Sequence, residues 1–98
     1  MKGITSKELS VLLQSNADIQ LIDVRETHEH EDFNIGGTLI PLDQITRHVD
    51  DLEKEKPVIL YCRVGMRSQI AIQRLLEKYP FKNLVNLVGG VEAWKKQV

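Results

Sequence analysis

The sequence is 98 residues long, with 13 basic and 14 acidic residues, a formal charge of −1 and a single cysteine. That length suits one small domain with a real core and leaves no room for a second, while the balanced charge excludes the electrostatic footprint that nucleic acid or an anionic membrane requires. One cysteine cannot close an internal disulfide, and Met1-Lys2 leads into no apolar signal region or membrane-length stretch, so a cytoplasmic protein acting on small molecules or other proteins is expected.

Thr5-Ser6-Lys7-Glu8 forms a capping box, with Thr5 as N-cap, Glu8 at N3 and Ile4 and Leu9 placed as a hydrophobic staple. A helix should run from there to about Gln14, with Leu9, Leu12 and Leu13 on its apolar face. Ser15 to Asp18 reads as a turn, and Ile19-Gln20-Leu21-Ile22-Asp23-Val24 as a short buried strand. A carboxylate inside such a strand needs a partner. Asp23 either forms a structural pair with Arg25 or a loop amide, or takes part in chemistry at the strand's C-terminal end, where open α/β sheets place their sites. Thr27 to Phe33 is polar and predicts a helical turn with a solvated charged face. His28 and His30 do not suggest a metal site, because residues two apart on a helix do not share a face and no further Cys or His completes a tetrahedral set.

Thr38-Leu39-Ile40 predicts a strand stopped by Pro41, and Asp43 a cap for a helix in which Ile45, Val49 and Leu52 recur at i, i+4 and i+7 with His48 on the polar side. An exposed connector, Glu53 to Pro57, leads into the fully apolar strand Val58-Ile59-Leu60-Tyr61. A helix beginning near Ser68 carries Ile72, Leu75, Leu76 and Tyr79 on one face and ends at Pro80. Leu84 to Val88 predicts another strand, Gly89-Gly90 a tight loop, and Val91 to Lys96 a last short helix bearing Trp94. This alternation implies an α/β fold, a small parallel β-sheet flanked by helices on both faces, with residues 1–98 as one domain. The loops after Asp23, Cys62 and Val88 then open on one edge.

The joint between the third of these strands, Val58 to Tyr61, and the helix after it holds the cysteine, in Cys62-Arg63-Val64-Gly65-Met66-Arg67-Ser68. A thiol there lies under free backbone N–H groups at the positive end of the helix dipole, where a thiolate is favoured. Gly65 lets the backbone curl with φ > 0 into an anion-binding nest, and Arg63 and Arg67 flank the sulfur. A lone cysteine ending a buried strand is otherwise a small inert hydrophobe. Two arginines spaced across a glycine confer nothing on a surface turn, and they favour sulfur or anion chemistry.

Taken with Leu21 to Glu26, Ile35-Gly36-Gly37, Ile40-Pro41-Leu42 and Leu87-Val88-Gly89-Gly90 followed by Trp94, the Tyr61 to Ser68 stretch resembles the rhodanese-like sulfurtransferase domain over nearly the whole chain. One departure is Phe33-Asn34-Ile35, where that family commonly has Gly-His-Ile. The resemblance implies that a sulfane sulfur passes from a donor such as thiosulfate or a persulfide to Cys62, and from the resulting persulfide to a cyanide or thiol acceptor, or to a protein acceptor. No cofactor is implied. The loop residues Arg63, Val64, Gly65, Met66, Arg67 and Ser68 would hold the anion, with Ser68 capping the helix and Asp23 and Arg25 in support. Val64 and Met66 form an apolar rim suited to a larger persulfide donor. A cysteine phosphatase or arsenate reductase would need Cys-x5-Arg, and here Arg67 follows Cys62 after four residues, a ring too tight for tetrahedral phosphate. A catalytically idle binding module is the other alternative, against which stands the presence of Cys62.

Overall fold

The computed structural model describes residues 1–97. Its elements run β1 (Gly3–Ile4), α1 (Ser6–Gln14), β2 (Gln20–Asp23), α2 (Thr27–Asp32), β3 (Thr38–Leu39), a 3₁₀ segment (Leu42–Asp51), β4 (Val58–Tyr61), α3 (Met66–Lys78), β5 (Leu84–Leu87) and α4 (Gly90–Lys96). The five strands are all parallel in the order β1-β5-β4-β2-β3. The expected parallel sheet with helices on both faces is therefore the architecture found.

Strand alternation sorts the apolar side chains into two cores. Leu21, Ile59, Tyr61, Val85 and Leu87 pack on one face with Leu9 of α1 and Val91 of α4. Ile22, Val58, Leu60 and Leu84 pack on the other with Ala71, Ile72 and Leu75 of α3 and with Ile45 and Leu52. Cys62 continues the alternation of β4 and so belongs to the α3 face, 1% exposed. Each fully buried Leu or Ile stabilises this sandwich by about 1.5–3 kcal/mol over leaving it in water.

The Thr5–Glu8 capping box closes as expected, with Thr5 Oγ1 accepting from the Glu8 N–H at 3.1 Å and Glu8 Oε1 accepting from the Thr5 N–H at 2.9 Å. Several boundaries differ from the sequence reading. Leu13 and Leu76 are 37% and 47% exposed, because each follows the buried edge of its helix by one position, about 100° round the axis. The Leu42–Asp51 segment is 3₁₀, opens at Pro41 without a side-chain cap from Asp43, and breaks at His48 with φ −110° and ψ 23°. Branched Ile45, Thr46 and Val49 disfavour an α-helix there, and Asp50 and Asp51 oppose the negative end of its dipole. The helix after the cysteine begins at Met66, two residues earlier than expected. Val88 lies beyond β5 and is 52% exposed, and the two-residue strand β1 was not anticipated at all.

At Gly90 a side chain is excluded: φ is +57°, and a Cβ would overlap the Cys62 carbonyl and sit 2.6 Å from the Arg63 carbonyl oxygen. Gly90→Ala should lower stability by about 2 kcal/mol or more, since the strained φ and the backbone overlap add. Urea unfolding would show this as a lower midpoint with unchanged slope.

Candidate active site

At the C-terminal edge of the sheet, β4 delivers Cys62 into the turn that starts α3. Gly65, with φ +100° and ψ 0°, is the N-cap of α3. Its N–H donates to Cys62 Sγ at 3.1 Å, and the Ser68 N–H donates to the same sulfur at 3.5 Å. The loop's carbonyls are drawn the other way. Val91 N–H donates to the Cys62 carbonyl at 2.9 Å and Glu92 N–H to the Arg63 carbonyl at 2.9 Å, both from the first turn of α4. Donors thus converge on the sulfur while acceptors are held off it, which is the arrangement a nest for an anion needs.

Burial by itself pushes the Cys62 thiol up, but the Ser68 hydroxyl and the Ser68, Gly65 and Val64 amides outweigh it, and the net shift is downward. Ser68 does not cap α3 as expected. It is fully buried in the first turn, with Oγ 3.5 Å from Sγ and donating to Asn86 Oδ1. A hydroxyl carries one proton. Turned to Asn86, it accepts from the Cys62 thiol; turned to the sulfur, it stabilises the thiolate. Asn86 is 4% exposed and was missed from the sequence, although a lone amide within the apolar run Leu84 to Leu87 asks for a partner.

The two arginines do not touch the sulfur. Arg67 binds Glu29 through two bonds, Nη1 to Oε1 at 2.7 Å and Nη2 to Oε2 at 2.8 Å. Hydrogen bonding to Arg67 is the main cause that pulls Glu29 down to about 2. Arg63 makes one exposed contact, Nε to Glu92 Oε1 at 3.1 Å. The Thr27–Phe33 stretch is therefore not simply a solvated face: Glu29 reaches the cysteine loop, and His30 Nδ1 lies 2.8 Å from Asp23 Oδ2. Val64 and Met66 are 51% and 68% exposed, two apolar side chains on the surface beside the cysteine turn.

Asp23 is fully buried and pairs with Arg25, whose Nε and Nη2 donate to Asp23 Oδ1 and Oδ2 at 3.0 and 2.8 Å; Nη2 also donates to the Phe33 carbonyl at 2.6 Å. Burial pushes the Asp23 carboxyl up, and the bonds from Arg25 and His30 more than reverse it. Tyr61 stands beside this pair, its O–H donating to the Gly36 carbonyl at 2.9 Å and accepting from Ile35 N–H at 3.2 Å; burial first and Asp23 second push its pKa up to about 12. The cluster fastens the loops after β2 and α2 beside the cysteine loop. Of the two roles the sequence left open for Asp23, the geometry gives it the structural pair. No described helix is long and apolar enough to cross a membrane.

A parallel α/β sheet that ends one strand in a cysteine, cups the sulfur in backbone amides and starts a helix on the same turn defines an α/β protein with a thiolate cradle. Within that class the chain belongs to the rhodanese-like domain family, whose sequence profile matches residues 5–97. It is 36% identical over 84 residues to the thiosulfate sulfurtransferase GlpE of Coxiella burnetii, covering 85% of this chain and 78% of that one. It is 38% identical over 95 residues to the protein YqhL of Bacillus subtilis, covering 96% of this chain and 72% of that one. A crystal structure of a rhodanese-like domain protein from Staphylococcus aureus superposes with a TM-score of 0.85 at 30% identity, covering 96% and 91% of the two chains.

Two outcomes follow from this geometry. Alkylation of Cys62 followed against pH should show a midpoint below the roughly 8.5 of a free thiol, and Ser68→Ala should raise it; an unshifted wild-type midpoint would mark an inert core thiol. Asp23→Asn should cost about 3 kcal/mol in a denaturant titration, because Arg25 is left buried without its counter-charge. A loss below about 1 kcal/mol would contradict that role.

Proposed function

We propose that this protein is a sulfurtransferase that carries sulfane sulfur as a persulfide on Cys62. The Cys62 thiolate attacks the outer sulfur of a donor; with thiosulfate, the donor's S–S bond breaks, sulfite leaves with the electron pair, and Cys62–S–S⁻ remains. An acceptor thiolate or cyanide then attacks the terminal sulfur and releases the Cys62 thiolate. Neither step changes the count of electrons in the pair of reactants. The observation that carries the reading is the sulfur's position, where the N–H groups of Gly65 and Ser68 both point at it. The same amides serve thiolate and persulfide alike, since both are anionic sulfur. Arg63, Val64 and Met66 meet the donor at the rim, Arg67 lies beside them paired to Glu29, and Asp23 and Arg25 hold the neighbouring loop. Acceptors are small thiols, cyanide or a protein thiol.

The intermediate is the test. With no second thiol in the chain, the persulfide cannot collapse to an internal disulfide and should accumulate when donor is given without acceptor. Intact mass after thiosulfate or a thiol persulfide should rise by one sulfur atom and return on adding cyanide or thiol, with neither change in Cys62→Ser. If both donors leave the wild-type mass unchanged, a binding module becomes the better reading.

A further inference from the structure

Charge at the rim of the cradle is cancelled, and Glu29 cancels the most direct part of it. Arg67 sits on the first turn of α3, close enough for its charge to be felt by Cys62, yet both of its terminal nitrogens are bound to Glu29. Glu29 is itself fixed in place: its Oε1 accepts from the Glu26 N–H at 3.0 Å in a capping box, and its side chain is 21% exposed. A two-point clamp between partly buried groups holds the guanidinium in one orientation. Beside the loop, a cleft of 210 Å³ is lined by Arg25, Arg63 and Lys95 against Glu29, Asp32 and Glu92, three charges of each sign. Arg63 is the one loop cation with freedom to swing, being 65% exposed and held by one bond.

That balance matters because donors differ in charge at the moment of transfer. Thiosulfate attacked by the Cys62 thiolate brings three negative charges together, of which two leave on sulfite. A thiol persulfide R–S–S⁻ brings two: the S–S bond to R breaks, R–S⁻ leaves with the electron pair, and Cys62–S–S⁻ forms. Half-exposed Val64 and largely exposed Met66 offer apolar surface to the R group and nothing to a sulfonate.

Building on the sulfurtransferase reading, we propose that Glu29 determines donor specificity: by clamping Arg67 it keeps the rim neutral and selects thiol persulfides over the thiosulfate dianion. Loading of Cys62 is to be timed with thiosulfate and with the persulfide of 2-mercaptoethanol, at low and high ionic strength, in wild type, Glu29→Gln, Arg67→Ala and the double variant. Glu29→Gln should raise the second-order rate with thiosulfate about tenfold and make it fall with added salt, as expected when a cation near the site is unmasked. The same variant should change the rate with mercaptoethanol persulfide by less than about twofold, which also shows that it is folded. Arg67→Ala should slow thiosulfate by leaving the Glu29 carboxylate bare, and the double variant should recover the wild-type rate. The inference is overturned if Glu29→Gln leaves thiosulfate loading unchanged or slower while persulfide loading persists. It is equally overturned if the double variant stays as slow as Arg67→Ala, which would make Arg67 a direct donor ligand. Failure of both donors on the wild type would instead overturn the sulfurtransferase reading, and this inference with it.

Discussion

An anionic sulfur can be held by a peptide loop only if the loop's amides face it and its carbonyls do not, and a chain that alternates the two groups does not do this unaided. Here the first two carbonyls after β4 are taken by the Val91 and Glu92 N–H groups of α4, at 2.9 Å each. Those amides lie in the first turn of a helix, where no intrahelical acceptor exists for them. One unmet need satisfies another. The left-handed conformation of Gly65, the close approach at Gly90 and the parallel placement of β5 beside β4 all serve that pairing of a loop with a helix end.

Around this arrangement the buried charges form a second tier. Asp23, Arg25, His30 and Tyr61 interlock across β2, α2 and β4, so that the loops beside the cysteine share one set of bonds. Removing charge from such a set is costly because what remains is an ion without water. The cradle is thus stiffened by electrostatics that never reach the sulfur, and its own anion is stabilised mainly by uncharged amides and a hydroxyl.

Local rules made much of this legible in advance. The Thr5–Glu8 box, the apolar run of β4, the turn at the cysteine and the alternation of strands and helices are all short-range patterns, and each is found. What escaped depends on partners distant in sequence. Arg67 stands five residues from Cys62, which made it look like a ligand of the sulfur; its partner Glu29 is 38 positions away, in a stretch whose polarity read as solvent exposure. Ser68 looked like a cap because Ser commonly is one, but Asn86, 18 positions on, draws its hydroxyl inward. The strand β1 is two residues long and exists only because β5 offers an edge to pair with.

The strand order carries a consequence for how the cradle comes into being. β5, late in the chain, lies between β1, the earliest strand, and β4, and α4 follows it directly. Every strand pairing here is parallel and joins segments distant in sequence, so none is made early by a local hairpin. Until β5 is inserted and α4 docks, the two loop carbonyls have no donors and Asn86 is absent from Ser68. A chain in which β5 and α4 are not yet in place therefore lacks the bonds that hold the loop carbonyls away from Cys62 and draw the Ser68 hydroxyl inward.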